Sequence, residues 1–244
     1  MADPPLVWTE RFRIRATEVG PDGRATVLAL ADLLQEAAGE HARATDREGF
    51  DLGGGARGTW VLSRLRLAVD RRPDIREPVA VETWPSAYDG VRVHRDFVMT
   101  GAGGAACVRA TSVWFVIDVA RRRPVRLPPP MRDFGPPERA RALAPGAAPP
   151  EPPDAVEAER RFAVRHADLD RVGHANNVRF VEWALEAAGG ADGLREVDVA
   201  YRAEAVYGDT VVSRVGPAEG GARRHALLRA DDGRTLAVAR TLWA

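Results

Sequence analysis

The chain has 244 residues, 45% of them hydrophobic, and 35 arginines balance 35 acidic residues with no lysine anywhere. That is enough apolar material for one large domain or two small ones, and it excludes a disordered chain. A net charge of +0 excludes wholesale nucleic-acid binding, and a single cysteine, Cys107, excludes an intrachain disulfide and a cysteine-built zinc site.

The opening "MADPPLVWTERF" is acidic and proline-bearing, without the apolar core of a secretory signal. No stretch reaches the run of about 18 apolar residues that a membrane span requires. A cytoplasmic protein is the expectation. The first regular element is a helix, because Val27, Leu30, Ala31, Leu34 and Ala38 fall on one helical face. "GGGARG" (53–58) fits G-x-G-x-x-G, but it follows a helix and precedes a strand, the reverse of a dinucleotide-binding loop, so a plain loop is expected. "WVLSRLRLAV" alternates Arg64 and Arg66 with Leu65, Leu67 and Val69, which predicts a strand. "EPVAVETW", "VRVHRDFVM" and "ACVRATSVWFVID" continue the pattern, separated by the turn signals "YDG" and "GAGG". Cys107 is expected to pack as a small hydrophobe.

Composition changes sharply over 124–153, which holds 11 of the 18 prolines. Proline fixes φ and donates no hydrogen bond, so an extended, semi-rigid linker is expected there. It separates a first half, 1–123, from a second, 154–244. The second half predicts one helix over 176–188, from Val178, Val181, Leu185 and Ala188, with Asn176 or Asn177 as N-cap. Strands follow in "REVDVAYRAEA", "DTVVSRV", "HALLRA" and "TLAVARTLW". The halves repeat each other. "RFRIR" (11–15) and "RFAVR" (161–165) stand 150 residues apart, as do the two "EAAG" segments at 36–39 and 186–189. "REPVAVETWP" and "ATSVW" find echoes in "YGDTVVSRVGP" and "ARTLW", in the same order. Each half is therefore expected to be an α+β unit, one helix laid on a meander of antiparallel strands.

Five histidines occur, none in HxxxH or HExxH spacing, so no metal site is expected. His94 and His225 lie in charge-rich strands and are expected at the surface. His174 differs in its neighbours: "DLDRVGHANN" (168–177) puts two carboxylates, an imidazole and two amides beside a helix start. Ester or thioester hydrolysis needs a carboxylate base or nucleophile, a group to orient substrate or water, and donors for the oxyanion. Asp168, Asp170 and His174 with the first N–H groups of the helix supply that set. A surface turn with aspartate caps is the plainer alternative. At the 150-residue offset the first half has Gly20 and Arg24 instead of Asp170 and His174, so only one copy carries the polar set.

Four ordered segments, "DLLQEAAGEHA" (32–42), "ATSVWFVIDVARRRPVRLP" (110–128), "DLDRVGHANNVRFVEWALE" (168–186) and "VAYRAEA" (199–205), resemble the acyl-[acyl-carrier-protein] thioesterase family of plants and bacteria. The resemblance implies two tandem hot-dog units forming an internal pseudo-dimer, with the acyl chain in the first and catalysis in the second. It implies hydrolysis of fatty acyl thioesters on acyl carrier protein in fatty acid biosynthesis, with no cofactor. It makes Asp170 the general base or nucleophile, His174 the orienting histidine and Glu204 the acid that shares or activates water. Asn176 and Asn177 would bind substrate, and Arg121, Arg122 and Arg123, followed by Arg126, would meet the acidic carrier. Two positions depart from the family pattern: Val172 stands where an Asn is usual, and Ala205 where a Cys often follows the glutamate. Alternatives are an acyl-CoA thioesterase, a non-catalytic acyl-thioester binding module, and a dehydratase or hydratase on acyl thioesters. A monomer or a homodimer fits equally.

Overall fold

Helical periodicity and capping place the first helix where the apolar face begins. In the computed structural model, which describes residues 5–53, 56–127, 136–144 and 148–244, α1 spans Val27–Ala44 and α2 spans Asn177–Ala187. Thr26 caps α1 by accepting from the Ala29 N–H at 3.1 Å, and Asn176 caps α2 by accepting from the Val178 N–H at 3.0 Å. The buried side chains of α1 include Val27, Leu30, Ala31, Leu34 and Ala38, the face the periodicity picked out. The strands are β1 (Trp8–Arg13), β2 (Gly49–Gly53), β3 (Ala56–Val69), β4 (Pro78–Asp89), β5 (Arg92–Thr100), β6 (Ala106–Asp118), β7 (Arg123–Val125), β8 (Ala158–Ala163), β9 (Leu194–Tyr201), β10 (Thr210–Val215), β11 (Ala222–Arg229) and β12 (Thr235–Trp243).

The chain divides into two units, 1–63 with 69–145, and 64–68 with 146–244. In the first, the sheet runs β1-β4-β5-β6-β3, with β2 paired to β3 and β7 to β6. Helix α1 packs on β1 and β4. In the second, residues 64–68 pair antiparallel with β9, and the order continues β9-β12-β11-β10-β8. Helix α2 packs on β8, β10 and β11. Each unit is one helix against an antiparallel sheet, the hot-dog arrangement. On the 64–68 strand, Arg64 forks onto Asp198 at 2.8 and 2.6 Å and Arg66 onto Glu196 at 3.0 Å from both nitrogens.

The proline-rich stretch is more anchored than a linker needs to be. Residues 136–144 lie on the first unit. Arg139 pairs with Glu82 at 2.5 Å, and its guanidinium carbon sits 4.0 Å from the centre of the Trp84 ring. Arg141 reaches both oxygens of the fully buried Asp96, at 2.8 and 3.1 Å, and the Ala142 N–H donates to the same carboxylate. Leu127 and Leu143 are buried. In the second unit Asp154 pairs with Arg224 at 3.1 Å. Residues 128–135 and 145–147 of the stretch lie outside the described residues, as do 54 and 55 of the glycine-rich segment, whose ends belong to β2 and β3.

Cys107 is buried, and its thiol donates to the Met99 carbonyl at 3.3 Å. His94 is half-buried. His225, expected at the surface, is fully buried with Nε2 2.7 Å from Thr241 Oγ1. It sits among Ala226 and Leu227, which are also buried, so β11 lacks the alternation that marks a half-exposed strand.

Candidate active site

The turn before α2 is fixed by a capping pair. Arg165 donates from its backbone N–H and from Nε to Asp168 Oδ2, at 2.8 and 3.0 Å, and from Nη2 to Oδ1 at 2.7 Å. Asp168 is buried, and its hydrogen bonds to Arg165 hold its carboxyl below the usual range. Both Asp168 oxygens are thereby engaged in holding the turn.

The next seven residues form a closed loop. Leu169 bridges Ala175, the Asp170 N–H donates to the His174 carbonyl at 2.7 Å, and the Gly173 N–H donates to the Asp170 carbonyl at 3.1 Å. Gly173 has φ +86, a left-handed conformation that a side chain would strain. Asp170 Oδ1 accepts from the Val172 and His174 N–H groups, at 2.9 and 3.1 Å. The loop is then stitched to the chain after β9. The Ala175 N–H donates to the Ala205 carbonyl at 2.8 Å, and His174 bridges Val206. These backbone bonds bring two side chains 30 residues apart into contact: His174 Nε2 lies 3.2 Å from Glu204 Oε2. The side chains are 35% and 40% exposed, so the pair is open to water and substrate.

Three apolar side chains on the segments that carry this pair are exposed. Val172 is 63% exposed, Tyr207 57% and Val206 41%. Tyr207 stacks on His166, ring centres 3.8 Å apart. Nothing local in the sequence announced that stack, because its partners come from opposite ends of the site.

Asp170, His174 and Glu204 are therefore brought together in one place. Asn176 is next to them but works as the helix cap, and Asn177 accepts at its carbonyl from the Tyr201 hydroxyl at 3.2 Å. The helix N-terminus is less available than expected. The Val178 N–H is taken by the Asn176 side chain and the Arg179 N–H by the Asn176 carbonyl, at 3.0 and 2.9 Å, so neither is free for an oxyanion. Arg121, Arg122 and Arg123 belong to the first unit, at the β6–β7 turn. All three are exposed, and Arg121 reaches Asp118 at 3.3 Å. Among the described residues no group of three or more His, Cys, Asp or Glu side chains gathers to hold a metal ion, and no helix is long and apolar enough to cross a membrane.

The first unit builds the same loop. Val19 bridges Ala25, the Gly20 N–H donates to the Arg24 carbonyl at 2.9 Å, the Ala25 N–H to the Pro73 carbonyl at 2.8 Å, and Arg24 bridges Asp74. Gly23 is left-handed at φ +73. The side chains differ. Arg24 replaces His174, Gly20 replaces Asp170, and Arg72, one residue before Pro73, takes the place of Glu204 and pairs with Asp22. This unit also has a small recess of about 30 Å³ at the C-terminal end of α1, walled by His41, Trp60, Pro85, Tyr88, Val93 and Arg95. His41 is buried there, with Nε2 2.8 Å from the Pro5 carbonyl and Nδ1 3.1 Å from Arg95. Burial and the Arg95 charge push it down to about 4, so it is neutral, with Nε2 the donor.

Comparison with known proteins converges on one family. The profile of the acyl-ACP thioesterase N-terminal domain matches residues 5–134, and that of the C-terminal domain matches 151–244. The chain is 29% identical to the chloroplastic palmitoyl-acyl carrier protein thioesterase of Gossypium hirsutum over 98% of its own length, and spans 64% of that relative. Its fold superposes on the 12:0-ACP thioesterase of Umbellularia californica with a TM-score of 0.83 at 25% identity, covering 98% of each chain. The acyl-ACP thioesterase of Bacteroides thetaiotaomicron gives the same TM-score at 22% identity, covering 100% of both. With both domain profiles matched in order along most of its length, the chain belongs to the acyl-ACP thioesterase family.

Proposed function

We propose that this protein hydrolyses fatty acyl thioesters carried on acyl carrier protein, releasing the free acid and the carrier thiol. The observation that carries the proposal is the His174–Glu204 contact at 3.2 Å, built by a loop whose counterpart in the other unit has no such pair. The names of the similar plant proteins, palmitoyl-, oleoyl- and dodecanoyl-acyl carrier protein thioesterases or hydrolases, support the substrate class.

The chemistry follows from the side chains. A water held beside the His174–Glu204 pair gives up a proton to it as it attacks the thioester carbonyl. The tetrahedral intermediate collapses, the C–S bond breaks, and the thiolate leaves and takes the proton back. Asp170 has one oxygen committed to the loop amides, which leaves Oδ2 to face water or substrate. A two-step route, in which that oxygen attacks and an anhydride is then hydrolysed, uses the same residues. Val172 at the usual Asn position removes an amide that would orient water, so the proposed set is Asp170, His174 and Glu204 alone.

We assign the acyl chain to the apolar interior of the first unit, around α1. The exposed Arg121, Arg122, Arg123 and Arg126 are assigned to the acidic carrier, since guanidinium pairs well with carboxylate and phosphate. The test is acid release from a ladder of acyl-carrier and acyl-CoA substrates. Release from the carrier form is expected. Release from CoA alone would change the carrier, tight binding without release would make the protein a binding module, and water loss from 3-hydroxyacyl thioesters would make it a dehydratase.

A further inference from the structure

Glu204 sits on a connection between β9 and β10, not on a strand, so something must hold it against His174. One guanidinium reaches its backbone while also bonding two carboxylates. Arg229, at the end of β11, donates from Nη2 to the Glu204 carbonyl at 2.8 Å, from Nε to Asp209 Oδ2 at 3.1 Å, and from Nη1 to Asp232 Oδ2 at 3.1 Å. Asp209 Oδ2 in turn accepts from the Val206 N–H at 3.0 Å. The brace therefore ties both ends of the 204–209 turn to the β11–β12 hairpin. The Arg229 side chain is only 20% exposed, so its bonds are little weakened by solvent.

The first unit shows that this brace is not simply what the fold requires. Glu77 matches Asp209, because the Asp74 N–H donates to Glu77 Oε2 at 2.9 Å as the Val206 N–H does to Asp209. Its guanidinium comes from elsewhere. Arg71 pairs with Glu77 at 2.8 and 2.6 Å, and position 71 corresponds to Ala203. The matching register in the first unit ends at Ala80 and Thr100, so the positions that correspond to Val211 and Arg229 are Val79 and Gly101, one step beyond it. A Cβ at 101 would clash with Arg71 Nη2 and Glu77 Oε1, so the space of one arrangement is filled by the other. Both units satisfy the buried end of the acid. Only the unit with the His–Glu pair does it with an arginine that also reaches the residue-204 carbonyl.

We propose that Arg229 is a positioning residue for the hydrolytic centre: it fixes the backbone of Glu204 so that its carboxylate meets His174. The proposal rests on the hydrolytic reading given above. It separates two jobs of Arg229, partnering Asp209 and bracing Glu204, and those jobs can be uncoupled by transplanting the first unit's solution.

The experiment compares wild type, Arg229→Gly, Arg229→Lys, the double variant Ala203→Arg/Arg229→Gly and Glu204→Gln, by thermal melting and by kcat and KM on one acyl-carrier substrate. Arg229→Gly is expected to melt lower and lose activity. The double variant is expected to regain most of the melting temperature, while kcat stays down by about ten- to a hundredfold with KM nearly unchanged, as a small misplacement of a reacting group would cause. Arg229→Lys, which can reach one acceptor but not fork to three, is expected to fall between. Recovery of kcat together with stability in the double variant overturns the proposal, because Asp209 then needs only a partner. If the double variant fails to fold, wild-type kcat in Arg229→Lys overturns it instead. An inactive wild type, or an unimpaired Glu204→Gln, refutes the hydrolytic reading itself, an outcome distinct from active wild type with unimpaired Arg229 variants.

Discussion

The loops at 20–25 and 170–175 share a backbone and share almost none of their chemistry. Both close with a bridge between the residues flanking the turn, both place a left-handed glycine at the same point, and both hand the following N–H to a carbonyl after the crossing strand. In one, Arg24, Arg72, Asp22 and Asp74 form ordinary ion pairs. In the other, His174 and Glu204 face each other beside Asp170. The difference teaches that the loop is a scaffold for aiming two side chains, indifferent to which ones. On the proposed function, chemistry is then a matter of three positions.

The largest effects should fall on those positions and on one side only. His174→Ala and Glu204→Gln are each expected to lower kcat/KM by about 10³, in the range of a lost general acid or base. Arg24→Ala and Arg72→Ala, at the matching positions, should leave turnover within about twofold, since no reacting group depends on them. Steady-state assays on one acyl-carrier substrate decide it. A large loss in the arginine variants would mean that both loops serve the reaction. Asp170→Asn keeps an oxygen for the Val172 and His174 amides, so the loop survives and only the charge is lost. Wild-type turnover in that variant would reduce Asp170 to a turn former.

A second contrast concerns how each unit holds the proline-rich stretch. The first buries an acid, Asp96, under an arginine of the stretch, and the second sets Arg224 on the corresponding strand position against the exposed Asp154. Asp96→Ala is expected to cost about 3 kcal/mol, because Arg141 loses its buried partner and Ser86, Thr111 and Ala142 lose an acceptor. Asp154→Ala should cost well under 1 kcal/mol, as exposed pairs do. Denaturant unfolding of both variants would erase the contrast if the costs were equal.

The third contrast is in the cores. His225 occupies the place that Phe97 fills in the first unit, and its Nδ1 lacks a partner among the described residues. Burial, then the Arg223 charge, pushes it down from 6.5 to about 4. The folded value lies below the unfolded one, so the unfolded chain takes up the proton first. Stability contributed by the neutral ring is present above 6.5 and is lost as the pH falls toward 4. At pH 5 the loss is about 2 kcal/mol by linkage. His225→Phe should flatten this acid limb, read as the slope of stability against pH from 7 to 5, though buried His41 keeps part of it. An unchanged slope would place the acid sensitivity elsewhere. The smallest effect is Arg24→Ala on stability, within about 0.5 kcal/mol, since Arg24 and Asp74 are largely exposed at 3.8 Å.

The helices, their caps, the strand meander and the turn carrying Asp170 and His174 were legible because each is a local pattern, a period, a cap or a motif copied at a fixed offset. The choice of Asp170 over Asp168 came from resemblance, and the Arg165–Asp168 capping pair was not legible beside it. What stayed illegible was long-range. Arg139 and Arg141 look like solvated residues of a linker until Trp84, Glu82 and Asp96, 45 to 57 residues earlier, come into reach. His225 reads as a surface residue because the arginines before it mask a run that is buried on both sides. The helix N–H groups looked free for an oxyanion until the Asn176 cap was seen to use them.

The five residues 64–68 belong to the second unit, although 77 residues separate them from the rest of it. No single cut therefore yields an intact second unit. A fragment starting at 146 would leave β9 as a bare edge, its ladder groups open to pairing with another chain. It would also strip Asp198 of Arg64 and Glu196 of Arg66, leaving Glu196 only the longer pair with Arg240 at 3.9 Å. Such a piece is expected to aggregate or to capture a strand from a neighbour. For anyone dissecting or recombining these halves, the practical joint is a permuted chain that carries 64–68 along, because the duplication visible in the primary structure is not a seam along which the molecule comes apart.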